Sequence, residues 1–138
     1  ISSDGFRVAV GVNGFDVTNK TDVGCCRVFD YREALRGNKD WIQVGLDLVG
    51  KVEYEESGTS ISLSRNGRRI ACGGPNSNQN GHKSGVARVY DISNGTWIMV
   101  GSEMVAPKGS QFGSSLTLTE NGSRLAVGGP YFGFLNNA

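Results

Sequence analysis

The feature that most constrains the fold of this chain is an internal repeat. Three segments match in residue type at nearly every position: SSDGFRVAVG (2–11), SRNGRRIACG (64–73) and TENGSRLAVG (119–128). Two further pairs match between them: GCCRVFD (24–30) with GVARVYD (85–91), and WIQVG (41–45) with WIMVG (97–101). Matched segments in a fixed order predict a structural unit of about 55 to 60 residues that occurs more than once.

Each matched segment has the pattern of a β-strand. ISLS (61–64) and LTLT (116–119) alternate apolar and hydroxyl side chains, as expected of a strand with one better-buried face. The runs RVAVG, RIACG and RLAVG are apolar at successive positions, which is typical of a strand buried on both faces. A second hairpin, through residues 93–96, leads to the strand that carries Trp97. The unit is therefore predicted to contain four short antiparallel strands.

Asn-Gly pairs predict the turn between the first two strands of the unit. Asn66-Gly67 and Asn121-Gly122 occupy this position in two copies, and Asp4-Gly5 occupies it in the first. Asn-Gly favours a type I′ hairpin turn, because both central residues of that turn need a positive φ. We therefore expect tight type I′ hairpins at these places.

Sheets that are apolar on both faces must stack on neighbours, and radial stacking of four-stranded sheets gives a β-propeller. The sequence thus predicts an all-β protein of about two and a half propeller blades. The blades are expected at 1–57, which lacks its N-terminal strand, at 58–111, and at 112–138, which begins a third. A parallel stack of blades is the alternative, and a single sandwich would not require the strands to repeat. Because closed propellers have about four to eight blades, we expect these residues to belong to a larger propeller or to assemble with other copies.

The glycines that bracket these strands resemble a known repeat. Phe112-Gly113 and Gly128-Gly129-Pro130 enclose two strands, and Gly58-Thr59 and Gly73-Gly74-Pro75 do so in the second copy. This pattern is similar to the FG-GAP repeat of integrin α-subunits and to a broader FG-GAP-like family of secreted and cell-surface proteins. The resemblance implies a β-propeller in the secretory pathway. The integrin repeat has an Asp-rich calcium loop at the first turn, but TENGSR and SRNGRR lack such a set of oxygen ligands, so we expect no metal or other cofactor.

Composition excludes several function classes. The chain has 14 Lys and Arg against 13 Asp and Glu, so it lacks the basic excess that tracks a nucleic-acid backbone. No segment approaches the roughly 20 apolar residues of a membrane helix. The start ISSDG lacks a signal pattern and an initiating Met, which favours a mature or internal piece of a longer chain. The three cysteines, Cys25, Cys26 and Cys72, are expected to be small apolar residues in buried strands.

The sequence marks no catalytic constellation, and we therefore expect a protein that is not an enzyme. His82 is the only histidine and lies in a loop without a marked nucleophile or carboxylate partner. The adjacent Glu55 and Glu56 are expected to be solvated loop acids. Trp41 and Trp97 recur at matched positions, which favours a packing role in each blade.

Propeller topology predicts two ends of different character. The short turns share one end, and the long loops at 12–23, 49–57, 75–84 and 104–111 share the other, where binding is expected because such loops vary. The expected partner-binding residues are Asn13, Asp16, Asn19, Glu55, Glu56, Asn78, His82, Lys83 and Lys108. Three sequons predict N-glycosylation at Asn19, Asn94 and Asn121.

The leading functional hypothesis is a repeat module of a secreted or cell-surface glycoprotein that mediates adhesion, protein–protein interaction or structural assembly. Its expected partners are proteins, either other blades or other subunits, and also glycans. One alternative is a carbohydrate-binding or enzymatic propeller, although Ser60–Ser64 and Ser115–Thr119 would offer only hydroxyl and apolar groups near its axis. A second alternative is an intracellular scaffold of the WD-repeat kind, which the absence of Gly-His and Trp-Asp signatures disfavours.

Overall fold

The computed structural model describes residues 1–35 and 37–131. These residues form only β-strands, turns and loops, and none of them belongs to a helix that could cross a membrane. The strands are β1 (Arg7–Val12), β2 (Cys25–Glu33), β3 (Lys39–Gln43), β4 (Leu48–Val49), β5 (Ser60–Leu63), β6 (Arg69–Gly74), β7 (Val86–Ser93), β8 (Thr96–Met99), β9 (Met104–Val105), β10 (Ser115–Leu118) and β11 (Leu125–Gly128). The predicted all-β class is confirmed.

The described strands form three antiparallel sheets, none of which closes on itself. Sheet 1 has the order β1-β2-β3, with β4 also paired to β2; sheet 2 has the order β5-β6-β7-β8, with β9 also paired to β7; sheet 3 is the hairpin β10-β11. Equivalent residues of the repeat pair alike, since Ala9 lies opposite Val28 in sheet 1 and Ala71 lies opposite Val89 in sheet 2. The sequence repeat is therefore a repeat of strand register.

Each sheet lies inside one of the predicted units. The strands of sheet 1 run from residue 7 to 49, those of sheet 2 from 60 to 105, and those of sheet 3 from 115 to 128. The predicted third unit extends to residue 138, but residues 132–138 lie outside the described part of the chain.

The predicted fourth strand is divided into two pieces. Both β3 and β4 pair with β2, and both β8 and β9 pair with β7. The break in sheet 1 contains Gly45 at a φ of 72°, and the break in sheet 2 contains Gly101 at a φ of 68°. Glycine adopts positive φ without the steric cost that other residues incur. The segments WIQVG and WIMVG thus each encode the end of a strand and a corner after it.

The turn between β5 and β6 is wider than the predicted type I′ hairpin. Gly67 has a φ of 68°, but Asn66 is not at positive φ. The N–H of Ser64 donates to the carbonyl of Arg69 (2.9 Å), which leaves a four-residue loop. The type I′ expectation is wrong here because the Asn66 side chain accepts the N–H of Arg68 (3.0 Å) and so forms an Asx turn.

Asn121 and Gly122 form the same wider turn in sheet 3, where only Gly122 has a positive φ, of 71°. The two-residue type I′ geometry is found instead at Asn94-Gly95, where φ is 48° and 77° and the flanking residues Ser93 and Thr96 pair directly. Asn-Gly therefore occurs in both kinds of turn. The wider turn also has a hydroxyl residue two positions before the Asn, whereas Ile92 occupies that position before Asn94.

Sheets 1 and 2 pack face to face around the main core. We define the back face of a sheet as the side toward the following sheet and the front face as the side toward the preceding one. The back face of sheet 1 contributes Ala9, Cys26, Val28 and Leu48, and the front face of sheet 2 contributes Ile61, Leu63, Ile70, Cys72, Tyr90, Ile92 and Trp97. Sheet 3 packs on the back of sheet 2, where the N–H of Leu118 donates to Ser62 Oγ (2.9 Å).

Two of the three cysteines form a disulfide across this core. Cys26 of sheet 1 is bonded to Cys72 of sheet 2, whereas Cys25 is a buried free thiol. All three are buried in strands as expected, and no feature of the sequence indicated that two of them are bonded. The two cysteines lie in different repeats, 46 residues apart, and only the packing of one sheet on the next brings them together.

Candidate interaction surfaces

A network of turn hydrogen bonds recurs three times at the end of the molecule that carries the short turns. In the second copy, Ser64 Oγ donates to Asn66 Oδ1 (2.9 Å) and accepts the N–H of Arg69 (3.0 Å). The same pattern joins Thr119, Asn121 and Arg124 in the third copy and Ser2, Asp4 and Arg7 in the first. The hydroxyl and N–H donors lower the pKa of Asp4. Backbone bonds then link the three turns in a row, from Ser3 N–H to the Arg65 carbonyl and from Arg65 N–H to the Glu120 carbonyl.

The arginine that begins β1 contacts the next sheet, and so does the arginine that begins β6. We refer to this arginine with its bonding partners as the arginine clamp. Arg7 forms two bonds with Asp30 of its own sheet (2.5 and 2.8 Å) and donates through Nη1 to the carbonyl of Gly67 in sheet 2 (2.9 Å). Paired bonds of this kind fix the orientation of the planar guanidinium. The clamp therefore joins two strands of one sheet to a turn of its neighbour.

The clamp repeats between sheets 2 and 3. Arg69 binds Asp91 with two bonds of 2.6 Å and donates to the carbonyl of Gly122 (2.8 Å). Its hydrogen bond lowers the pKa of Asp91.

A second ion pair also occurs in both sheets. It joins β2 to the corner after β3 in sheet 1, and β7 to the corner after β8 in sheet 2. Arg27 binds Asp47 (2.9 and 2.7 Å), and Arg88 at the matched position donates to Glu103 (2.8 Å). Arg27 also lies over the ring of Phe15, 5.0 Å from its centroid. The hydrogen bond from Arg27 lowers the pKa of Asp47.

In sheet 2 this pair gains a buried partner from the loop that joins the two sheets. Glu55 is 0% exposed, and its two oxygens accept Nη1 and Nη2 of Arg88, the latter at 3.0 Å. The prediction that Glu55 is a solvated, partner-binding acid is wrong, because the loop folds inward under Arg88. Lys51 from the same loop reaches Glu103 (3.1 Å). Four charged groups thus close the junction between the sheets.

Two opposing effects, burial and ion pairing, act on the pKa values of Arg88 and Glu103. Burial disfavours the charged form of Arg88, but the carboxylates of Glu55 and Glu103 outweigh it and raise the Arg88 pKa. Burial also opposes ionisation of Glu103, yet Arg88 and Lys51 together lower its pKa. The charged forms of Arg88 and Glu103 are therefore stabilised by their partners, as is usual for buried charges that are paired.

The long loops lie together in two pairs, one at each junction between sheets. In the first pair, the N–H groups of Tyr54 and Glu56 donate to the carbonyls of Thr21 and Asp22 (2.9 and 3.0 Å). In the second pair, Gly109 and Gln111 donate in the same way to His82 and Lys83 (2.8 and 2.9 Å). Each pair is thus a small ordered surface held by backbone bonds.

Most of the predicted partner-binding residues are exposed on these loop pairs. The exposed ones are Asn13, Asp16, Asn19, Asn78, His82, Lys83 and Lys108. Glu56 is half-buried, and Glu55 is the buried exception. Asp16 and Asn78 have a structural role as well, because their side chains accept the N–H of Asp22 (2.8 Å) and of Lys83 (2.9 Å) respectively.

The three sequon asparagines are all exposed. Asn19 lies in the first long loop at a φ of 66°, Asn94 at the tip of the β7–β8 hairpin and Asn121 in the turn after β10. The Oδ1 atom of Asn121 accepts Ser123 Oγ of the same sequon (2.8 Å). All three sequons thus begin at exposed positions in turns or loops.

His82 and one groove are the remaining candidate sites. The described residues contain no group of three or more His, Cys, Asp or Glu side chains placed to hold a metal ion. His82 is exposed in its loop. A groove of about 690 Å³ lies between sheets 1 and 2 at the short-turn end, lined by residues that include Phe6, Tyr31, Arg68 and Asn94. Arg7 and Asp30 also line it, but the arginine clamp engages both of them.

No protein-family model matches the chain. A comparison with curated proteins also finds no match.

Neither the arginine clamp nor the buried Glu55 was predicted from the sequence. The clamp has a sequence signal, since Arg7 and Arg69 recur in the repeat and Asp30 and Asp91 follow them at matched positions. Glu55 has no such signal. The matched position in the next linker is Ser110, so the repeat itself gives no reason to expect a buried acid there.

Proposed function

We propose that the chain is a non-enzymatic repeat module of a secreted or cell-surface protein, related to FG-GAP-like repeats, whose sheets are blades of a β-propeller. In this proposal it mediates adhesion, protein–protein interaction or assembly through its long loops. The observation that carries the proposal is the recurrence of one set of inter-sheet contacts, the arginine clamp, at both junctions. A repeated junction of this kind suits a scaffold that stacks similar units.

The disulfide and the sequons support an extracellular location. Disulfides persist in oxidising compartments and are rare in the cytosol. The Cys26–Cys72 bond joins two repeats inside the core, and Asn19, Asn94 and Asn121 are exposed. These observations favour the secretory pathway over the intracellular scaffold.

The location is tested by expressing the chain behind a secretion signal in eukaryotic cells. We expect the secreted protein to show one free thiol after denaturation without reductant, and glycans at one or more sequons by mass spectrometry. Asn19→Gln, Asn94→Gln and Asn121→Gln variants identify the site. Three free thiols together with no glycan would exclude the proposed location.

The role of the loops is tested by coating a surface with the protein and measuring cell attachment. We expect a His82→Ala, Lys83→Ala, Lys108→Ala variant to reduce attachment, because these exposed side chains share one loop pair. The matched control is Arg65→Ala with Arg68→Ala, which removes two exposed cations at the short-turn end and leaves the three sequons intact. Equal attachment by both variants would contradict the assignment of the loops as the binding surface.

A further inference from the structure

The front face of sheet 1 is open, although the matched face of sheet 2, which has an equivalent tryptophan and arginine, is covered by sheet 1. Trp97 is 9% exposed and donates from Nε1 to the carbonyl of Val44 in the preceding sheet (2.8 Å). Trp41, at the matched position, is 43% exposed and packs beside Tyr31, with 5.2 Å between the ring centroids. The junction between sheets 1 and 2 therefore provides an internal template for what would cover Trp41.

The strand residues of this face follow the same template. Val10 is 44% exposed, whereas Cys72 at the matched position is 2% exposed. Val8 is half-buried, whereas Ile70 is fully buried. An exposed apolar sheet face of this extent is a typical interaction surface.

Polar groups at the edges of this face lack the contacts that the matched groups of sheet 2 make. A Cβ atom on Gly67 would lie 2.8 Å from Cδ of the clamping Arg7, but a Cβ atom on Gly5 would meet nothing within 4 Å. The Gly5 turn is thus free to receive an arginine. The Arg27 side chain is 31% exposed, compared with 1% for Arg88 under its linker carboxylate Glu55.

One edge of sheet 1 is open as well. In sheet 2, β6 pairs with β5 on one side and β7 on the other, whereas the described residues pair β1 only with β2. The turn that would join a first strand to β1 is already formed, since Ser2 N–H donates to the Arg7 carbonyl (2.8 Å) as Ser64 does to Arg69. Ile1 then matches Leu63, the last residue of β5. A strand that completed this sheet would therefore continue directly into Ile1.

We propose that the open front face of sheet 1 is a docking surface for another four-stranded sheet of this same repeat on the same polypeptide. That sheet would present small apolar side chains toward Val10, a corner carbonyl toward Trp41 Nε1 and an arginine toward the Gly5 carbonyl. Its linker would cover the Arg27 side chain, as the loop that carries Glu55 covers Arg88. The inference rests on the proposed repeat architecture, and it specifies the partner by the groups that the face lacks.

The proposal is tested with an extended variant in which residues 58–117 are placed directly before Ile1. This join keeps the repeat register, because Ile1 matches Leu118. Hydroxyl-radical footprinting then measures the oxidation rate of Trp41 against that of Leu46, which is 86% exposed and lies outside the face. We expect the extension to slow Trp41 oxidation by about fivefold, the ratio of the 43% and 9% exposures.

The matched control is an extension by residues 58–116, which is one residue shorter. A slip of one residue turns every side chain of a strand to the opposite face, so we expect this control to protect Trp41 much less. The footprint does not depend on location, glycans or loop binding. Failure of this inference is thus distinguishable from failure of the proposed function.

Three results would overturn the proposal. The first is a folded extended variant in which Trp41 is still oxidised at the rate of the 138-residue chain. The second is an added segment that remains protease-sensitive while the original residues stay folded, since sheet 1 would then not dock a sheet of this repeat. The third is concentration-dependent protection of Trp41 in the 138-residue chain, with a dimer in sedimentation, which would make a second copy the occupant.

Discussion

Sheets 1 and 2 have nearly the same pattern of residues but opposite environments on their front faces. Trp97 is enclosed by the corner of the preceding sheet, whereas Trp41 is 43% exposed. Arg88 is enclosed by Glu55, whereas the Arg27 side chain is 31% exposed. The difference shows that burial in this protein is determined by the neighbouring sheet more than by the sequence of the strand itself. Matched substitutions in the two sheets can therefore measure what a neighbour contributes.

The largest contrast is expected between the two equivalent arginines. Arg88→Met leaves Glu55 buried without its partner, and breaking one side of a buried ion pair typically costs about 3–5 kcal/mol. Arg27→Met removes a partly exposed pair with Asp47 that solvent screens, so a much smaller loss of unfolding free energy is expected. Urea unfolding measures both free energies. A similar loss in the two variants would show that the enclosure by Glu55 has no energetic consequence.

The next contrast concerns the covalent link between the sheets. The Cys26→Ala, Cys72→Val double variant installs the residues that the next junction has, Ala87 and Val127, and so keeps the packing while removing the disulfide. Loss of a cross-link of this span typically costs about 2–4 kcal/mol, mainly through the unfolded state. Thermal unfolding with and without reductant measures it. We expect reductant to lower the Tm of the parent protein and to leave that of the double variant unchanged.

A smaller contrast is expected between the two corner glycines. Gly45 and Gly101 have similar φ values of 72° and 68°, so Ala at either position incurs the same backbone strain. A Cβ atom on Gly45 would also lie 2.7 Å from Cδ1 of Trp97, but one on Gly101 meets nothing within 4 Å. Gly45→Ala should therefore cost about 1–3 kcal/mol more than Gly101→Ala, as overpacking does. Urea unfolding of the two variants provides the comparison, and equal losses would mean that Trp97 moves aside freely.

The smallest change in the free energy of unfolding is expected on lowering the pH. The pKa values of Asp47, Asp91 and Glu103 are all lowered in the folded state, so their pairs stabilise the fold above the ordinary values of 3.8 for Asp and 4.5 for Glu. This stability is lost as the pH falls below those values toward the lowered ones. Unfolding free energies measured from pH 6 down to pH 3 should show the decline. Asp91→Asn should reduce its slope, whereas stability independent of pH over this interval would contradict the pKa assignment.

The positions of the strands could be predicted from the sequence because the same strand pattern recurs at matched positions in each copy of the repeat. ISLS and LTLT became β5 and β10, and the Asn-Gly pairs were correctly placed in turns. The turn type was wrong, since Asn66 uses its side chain to form an Asx turn, a choice that depends on Ser64.

What the sequence could not predict depends on contacts between repeats. The exposure of Trp41 and the burial of Glu55 arise from which sheet lies beside each residue, and no local pattern encodes that. The Cys26–Cys72 bond likewise needs the two sheets to be stacked in a particular register. A matched pair of positions predicts a shared conformation but not a shared environment.

The arginine clamp also has a consequence for symmetry. In both observed junctions the guanidinium belongs to the earlier sheet and the accepting glycine carbonyl to the later one. Each sheet therefore has a donor side and an acceptor side, and two identical donor sides cannot satisfy one another. An assembly that used this contact would be heterologous, with a direction from one end to the other, and a two-fold axis through the junction is excluded.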